Sequence, residues 1–176
     1  ESYSKIFRER NVKQSYFIAT SAVRDSTNSS YLKEKLKKIN INLKILTGKQ
    51  EASLLVDFNK NIDDSAVIDI GGGSVEVCIN KNGEMHYKSF QLGAVRLLNL
   101  DQNHKTEAMN EFSKWLGKFN PVRTTFGLGG NLRAIMQANS HTGVIHAAKL
   151  QNLIKIYKEL DEKVLLETYE IPKDRI

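Results

Sequence analysis

The chain is poor in the residues that would let it be cross-linked, threaded through a bilayer or built around a metal cage. Its single cysteine, Cys78, has no partner for an internal disulfide, and no Cys/His cluster has zinc-site spacing. Cys78 lies in an apolar strand-like run, so a buried, unreactive thiol and a reducing cytoplasmic setting are expected. No apolar run approaches the length of a membrane-spanning helix. No signal-peptide pattern is visible in the sequence, and because it opens Glu1-Ser-Tyr without Met the natural start, with any targeting segment, is expected further upstream. The two prolines, Pro121 and Pro172, are both placed to end helices. The four histidines (His86, His104, His141 and His146) show no metal-ligand spacing and read as surface or helix-packing residues. No Ser/His/Asp arrangement can be drawn. Basic and aromatic residues are not interleaved as on a single-strand-binding surface, so neither a nucleic acid nor a membrane is an expected partner. The net charge of +6 is spread along the chain, and its densest cluster, Lys33 to Lys38, reads as a solvated helix face. It suits a polyanionic ligand.

What the chain does contain centres on Ala66-Val-Ile-Asp-Ile-Gly-Gly-Gly-Ser-Val-Glu-Val-Cys-Ile79. Ala66 to Ile70 is a short apolar, β-branched run, interrupted by Asp69, and predicts a buried strand. Gly71, Gly72 and Gly73 then predict a turn, with glycine supplying positive φ and close approach to a ligand. From Ser74 the pattern alternates: Val75, Val77 and Ile79 point one way, Ser74, Glu76 and Cys78 the other. The expectation is a β-hairpin with a glycine tip whose successive amides form an anion-binding nest. Asp69 and Glu76 flank it as hard oxygen donors suited to Mg²⁺. The competing reading is a tight hairpin with a solvated Glu76. An unpaired carboxylate at Asp69, inside an apolar strand, would be costly.

The rest of the chain predicts an alternating order. Ser2 to Arg10 reads as a helix, Ser15 to Thr20 as a strand and Ser21 to Ser26 as a polar loop. A helix capped by Asn28 or Ser29 comes next, then a strand over Ile41 to Leu46. Lys49 to Phe58 predicts a helix with Ala52, Leu55, Val56 and Asn59 in one stripe. After the hairpin, Asn82-Gly83 signals a turn into a third antiparallel strand, Met85 to Phe90. Ala94 to Asn99 begins a helix and Asp101 to Lys105 reads as a loop. Thr106 to Phe119 is an amphipathic helix with Met109, Phe112, Trp115, Leu116 and Phe119 inward. A strand from Arg123 to Phe126 runs into a second glycine turn, Gly127 to Gly130, and a helix over Leu132 to Ala138 follows. The stretch from His146 to Thr168 is helical, with a turn near Asp161. At 176 residues the chain allows one domain, or one and part of another. The order predicts an α/β domain of RNase H-like character, with a mixed sheet, a three-strand antiparallel unit and flanking helices, preceded by a piece of something else.

Four stretches together resemble the exopolyphosphatase / guanosine pentaphosphate phosphohydrolase (Ppx/GppA) family, of the actin-like phosphotransferase superfamily. They are Ala19-Thr-Ser-Ala-Val-Arg-Asp25, Leu46-Thr-Gly-Lys-Gln-Glu-Ala52, Val67 to Glu76, and Gln91-Leu-Gly-Ala-Val-Arg96; Gly127-Leu-Gly-Gly-Asn131 is a looser fifth. The resemblance implies two actin-like domains around a cleft, with residues 1–46 ending the first and 47–176 belonging to the second. It implies Mg²⁺-dependent release of terminal phosphate from polyphosphate or guanosine pentaphosphate, and homodimers are compatible with it. Glu51 matches the family's catalytic glutamate, and Asp69 and Glu76 its metal-side carboxylates. Gly71, Gly72, Gly73 and Ser74 match its second phosphate loop, and Thr20 and Arg24 its substrate-phosphate contacts. Gly93 and Arg96, then Gly127, Gly129 and Gly130, would line the same cleft. The family's first phosphate loop, an Asp-x-Gly-Ser hairpin, has no counterpart here, and the family continues beyond the position of Ile176. The expectation is therefore a fragment that is inactive or nearly so by itself.

Each of these residues also has a plainer reading. Glu51 can be first-turn helix stabilisation. Arg24 can be a surface ion pair with Asp25. Thr20 can satisfy the amides of the following loop, and Gly127 to Gly130 can be a strand-to-helix turn without a ligand. An actin-like ATPase or sugar kinase domain, and a non-catalytic polyanion-binding module, remain the alternative functions.

Overall fold

The computed structural model describes residues 2–119, 121–139, 143–171 and 173; His141 and Pro172 lie outside the described residues. Two sheets form. The first is a parallel pair, β1 (Phe17–Ala19) and β2 (Leu43–Ile45), with α1 (Ser2–Glu9), α2 (Ser21–Arg24) and α3 (Ser29–Lys37) around it. The second holds β3 (Ser65–Ile70), β4 (Val75–Lys81), β5 (Glu84–Phe90) and β6 (Thr124–Leu128) in the order β5-β4-β3-β6. β3, β4 and β5 are an antiparallel meander, and β6 joins β3 in parallel, so the sheet is mixed. The helices of this half are α4 (Gly48–Leu54), α5 (Val56–Asn59), α6 (Ala94–Asn99), α7 (Gln102–Leu116), α8 (Gly130–Ala138), α9 (Ala147–Glu159) and α10 (Glu162–Glu167).

Strand alternation sorts the central sheet into two faces. Ala66, Val75, Val77, Ile79, Phe90 and Leu92 are buried on one, against Phe112, Trp115, Leu116 and Phe119. The aromatic rings there meet edge to face, Phe90 with Phe112 at 5.0 Å and with Trp115 at 5.5 Å between centroids. On the other face Val67, Cys78 and Leu55 are buried together. Burial pushes the Cys78 thiol up to about 11, so it is inert at neutral pH. Asn59, fully buried at the end of α5, donates to the carbonyls of Ser65 and Cys78, and Asn80 donates back to the Asn59 carbonyl at 3.0 Å. These bonds fix α4 and α5 over the face that carries Asp69, Glu76 and Cys78.

Several expectations need correction. Ser21 to Ser26 contains the helical turn α2 rather than a loop throughout. α7 begins at Gln102, four residues before the predicted start, because Asp101 accepts from the amides of Asn103 and His104 at 3.0 Å. Met109 is 46% exposed; Ala108, one position earlier, packs against the core instead. The helix expected over Lys49 to Phe58 is broken at Leu55 into α4 and α5, but Ala52, Leu55 and Asn59 are buried as the stripe required. The Asn82-Gly83 turn has positive φ at both residues, 55° and 77°, as a tight hairpin demands. None of Gly71, Gly72 and Gly73 takes a positive φ. Among the described residues no helix is long and apolar enough to cross a membrane.

Candidate active site

The turn between β3 and β4 is shaped by α6. The Gly71 amide donates to the Ser74 carbonyl at 3.0 Å, closing the turn. The Gly71 carbonyl accepts from the amide of Ala94 and the Gly72 carbonyl from the amide of Arg96, both at 3.0 Å, and the Gly73 carbonyl accepts from Arg96 Nε at 2.6 Å. α6 thereby satisfies two of its own N-terminal amides on the turn. A peptide plane holds its C=O and the next residue's N–H in opposite directions. Fixing those three carbonyls therefore aims the amides of Gly72, Gly73 and Ser74 away from α6. Those three amides donate to nothing among the described residues. Gly93 and Gly73 are explained by proximity: a Cβ on Gly93 would lie 2.3 Å from the Gly73 carbonyl carbon and the Ser74 nitrogen, and one on Gly73 would lie 2.5 Å from Ser21 Oγ. Ser21 is buried there, so the first sheet's α2 abuts the turn.

Below the turn, strand pairing sets Asp69 directly opposite Glu76, and Glu76 opposite Ser89. Glu76 is 6% exposed, and its Oε1 accepts from Ser89 Oγ at 2.7 Å. Burial pushes the Glu76 carboxyl above the usual range; the Ser89 and Ser74 hydroxyls oppose this, and the charges of Glu51 and Asp69 add to it. Asp69 is also raised by burial, offset in part by Arg133. Glu51 reaches the same face from the first turn of α4. Thr47 and Gln50 close a capping box there, which uses Gln50 and leaves Glu51 to turn inward.

Glu51 is paired with Arg24, their side chains 12% and 18% exposed. Arg24 Nη1 also donates to the Leu46 carbonyl at 2.9 Å and Nε to Asp25 Oδ1 at 3.2 Å, while its Nη2 is buried with no acceptor among the described residues. Arg96 Nη2 pairs with the other oxygen of Asp25.

A family model, the Ppx/GppA phosphatase family, matches residues 1–174. The chain belongs to the Ppx/GppA phosphatase family. Among solved structures it is similar to an exopolyphosphatase from Cytophaga hutchinsonii ATCC 33406, at 23% identity and TM-score 0.77, covering 99% of this chain and 66% of that one. It is also similar to the Aquifex aeolicus Ppx/GppA family member, at 24% identity and TM-score 0.71, covering 99% and 65%. These likenesses establish the actin-like, RNase H-like fold. Among curated proteins it is 26% identical over 200 residues to the bifunctional 3-dehydroquinate synthase/phosphatase of Fusobacterium nucleatum, covering all of this chain and 30% of that protein. The chain thus spans just under two thirds of the solved relatives and under a third of the curated one.

Within this Ppx/GppA fold, Glu51, Asp69, Glu76, Arg24 and the turn Gly71–Ser74 come together. Gly93 and Arg96 lie against the back of the turn and shape it. Gly129 has φ 101° and a backbone so close that a Cβ would sit 2.4 Å from the Ile70 carbonyl oxygen and 3.2 Å from Asp69 Oδ1. Gly130 begins α8, and the Cβ position of Gly127 is met by Leu132, a packing contact. The Thr20 carbonyl, not its exposed side chain, accepts the α2 amides of Val23 and Arg24, leaving the hydroxyl out of that cap. Sequence reasoning missed Ser89, which the meander register could have revealed. It also missed Arg133 and the two-sided use of Asp25, which only the tertiary fold brings in.

Among the described residues no three His, Cys, Asp or Glu side chains gather as a metal cage. Mg²⁺ needs none: it binds through one or two carboxylates, keeps waters, and takes substrate oxygens for the rest. Asp69 and Glu76, opposed and both held above the usual carboxylate range by burial, are a pair that a cation would stabilise in its charged form, so they fit.

Proposed function

We propose that the full-length protein is a phosphohydrolase that releases terminal phosphate from inorganic polyphosphate, with guanosine pentaphosphate offering the same anhydride to the same groups. The observation that carries this reading is the set of three unclaimed amides at Gly72, Gly73 and Ser74, in the turn that joins the strands bearing Asp69 and Glu76, with Glu51 close enough to act on the Glu76 charge. Amides receive phosphate oxygens; carboxylates do not, and serve as base and cation ligands instead. The name of the Cytophaga relative, an exopolyphosphatase, supports the substrate class.

In this reading the substrate's terminal phosphoryl group lies on the Gly72–Ser74 amides, with the Thr20 hydroxyl at its side. Arg24 turns from Glu51 onto the phosphate oxygens, where its Nη2 finds the acceptor it lacks. Glu51, released, takes a proton from a water whose oxygen attacks phosphorus in line. The new P–O bond forms as the bridging P–O bond breaks, and the shortened chain leaves with the electron pair. Asp69 and Glu76 would hold Mg²⁺, which neutralises charge on the transferring and leaving oxygens when bound. We read residues 1–46 and 47–176 as belonging to the two domains that face this cleft. The separate sheets of the two parts support that division, and the Arg24–Glu51 pair and the Ser21–Gly73 contact support their meeting at the cleft.

The test is Glu51→Gln in the full-length protein. Loss of a general base predicts a fall in kcat of about 10²–10⁴-fold, with polyphosphate binding retained. Turnover near the unsubstituted rate would remove Glu51 from the mechanism. Phosphate release by the 176-residue chain alone is expected to be at or near background.

A further inference from the structure

We infer that Asp25 is a positioning residue for phosphate release, acting through Arg96 on the amide of Ser74 and steadying Arg24 with its other oxygen. The inference rests on the phosphohydrolase reading above and adds a residue to it. Asp25 ends α2, and its own amide is tied back to the Ser21 carbonyl at 2.9 Å, so its side chain leaves a fixed point. Its two oxygens serve two different arginines. Oδ1 accepts from Arg24 Nε at 3.2 Å, and Oδ2 is paired with Arg96 Nη2.

Arg96 is the pivotal partner. Its Nε donates to the Gly73 carbonyl at 2.6 Å. That carbonyl shares a peptide plane with the Ser74 amide, so a guanidinium held between Asp25 and Gly73 sets the direction of the Ser74 N–H. The backbone amides of α6 hold the two preceding peptides without help from a side chain, whereas this one depends on Arg96. Asp25 therefore joins α2, on the first sheet, to the third amide of the turn on the second. An anion so close to a polyanion site opposes ground-state attraction. Its removal should accordingly leave substrate affinity intact or improve it, while loosening a donor that matters most as charge develops on the phosphoryl oxygens.

The experiment compares Asp25→Asn, Asp25→Glu, Arg96→Lys and the Asp25→Asn/Arg96→Lys double variant in the full-length protein, with polyphosphate and Mg²⁺. The expected result is a fall in kcat of about tenfold or more for Asp25→Asn, with KM unchanged or lower and melting temperature unchanged. Asp25→Glu, which keeps both oxygens and the charge, should recover most of the rate. The double variant should be no more than about threefold slower than Arg96→Lys alone, because both changes break the Asp25–Arg96 linkage while the Asn side chain keeps one oxygen to accept from Arg24 Nε. An Asp25→Asn rate within twofold of the unsubstituted protein, a KM that rises as kcat falls, losses that multiply in the double variant, or failure of Asp25→Asn to fold would each overturn the inference. If the unsubstituted protein releases no phosphate, the functional reading fails and this inference falls with it.

Discussion

At the scale of single residues, glycines that look alike in the sequence do different work. Gly93 meets backbone atoms that cannot yield, whereas a Cβ on Gly72 would find only Val95, its Cγ2 at 3.5 Å. Gly93→Ala is expected to cost about 1–3 kcal/mol through overpacking, and Gly72→Ala to stay within about 0.5 kcal/mol of the parent. Chemical denaturation of the two variants checks this, and equal stabilities would mean that α6 does not press on the turn. A second expectation concerns Asp69 and Glu76. Their folded-state values lie above the ordinary carboxylate range, so the native state binds protons more readily than the unfolded chain. Stability from these two groups should be fully present below the ordinary carboxylate range and be lost as pH rises from there through the folded values. In metal-free buffer, Glu76→Gln should weaken that rise, and Mg²⁺ at neutral pH should stabilise the parent more than the variant. Thermal melts across pH, with and without Mg²⁺, give the comparison; identical slopes would show that Glu76 carries no strained charge. The positive φ expected at Gly71–Gly73 is absent because close approach and left-handed backbone leave the same signature in a sequence, a glycine. Only the packed neighbours separate the two causes.

At the scale of elements, the hairpin was legible because period two is a strong signal: Val75, Val77 and Ile79 pack on one side, as their alternation requires. The start of α7 was not legible from hydrophobic spacing. Gln102 to Lys105 is polar throughout, so periodicity assigns it to a loop, while the actual determinant is the carboxylate of Asp101. Asp101→Ala should therefore destabilise the protein and fray the first turn of α7. Hydrogen exchange at Asn103 and His104 is the direct check, and unchanged protection there would assign the helix start to tertiary packing. α2 was missed for the same reason as the first turn of α7. Ser21 to Asp25 has no apolar stripe, yet the Thr20 carbonyl and the contact of Ser21 with Gly73 hold a helical turn in place.

At the scale of the whole molecule, local patterns gave both halves of the site but not their meeting. Arg24 and Glu51 lie 27 positions apart, and Asp25 and Arg96 lie 71 apart. Arg24 is paired with Asp25, as its plainer reading expected, and also with Glu51; its contact with phosphate belongs to the proposed function. No periodicity encodes such a pairing; it comes from where α2 and α4 leave their strands. The proposed function requires that the amides between β3 and β4 receive phosphate oxygens. Its most direct test is an amide-resolved NMR titration of the protein with tripolyphosphate and Mg²⁺. A phosphate site at this turn predicts saturable shifts at Gly72, Gly73 and Ser74, with the amides of α9 and α10 unmoved. Saturable binding that leaves those three amides unchanged would contradict it.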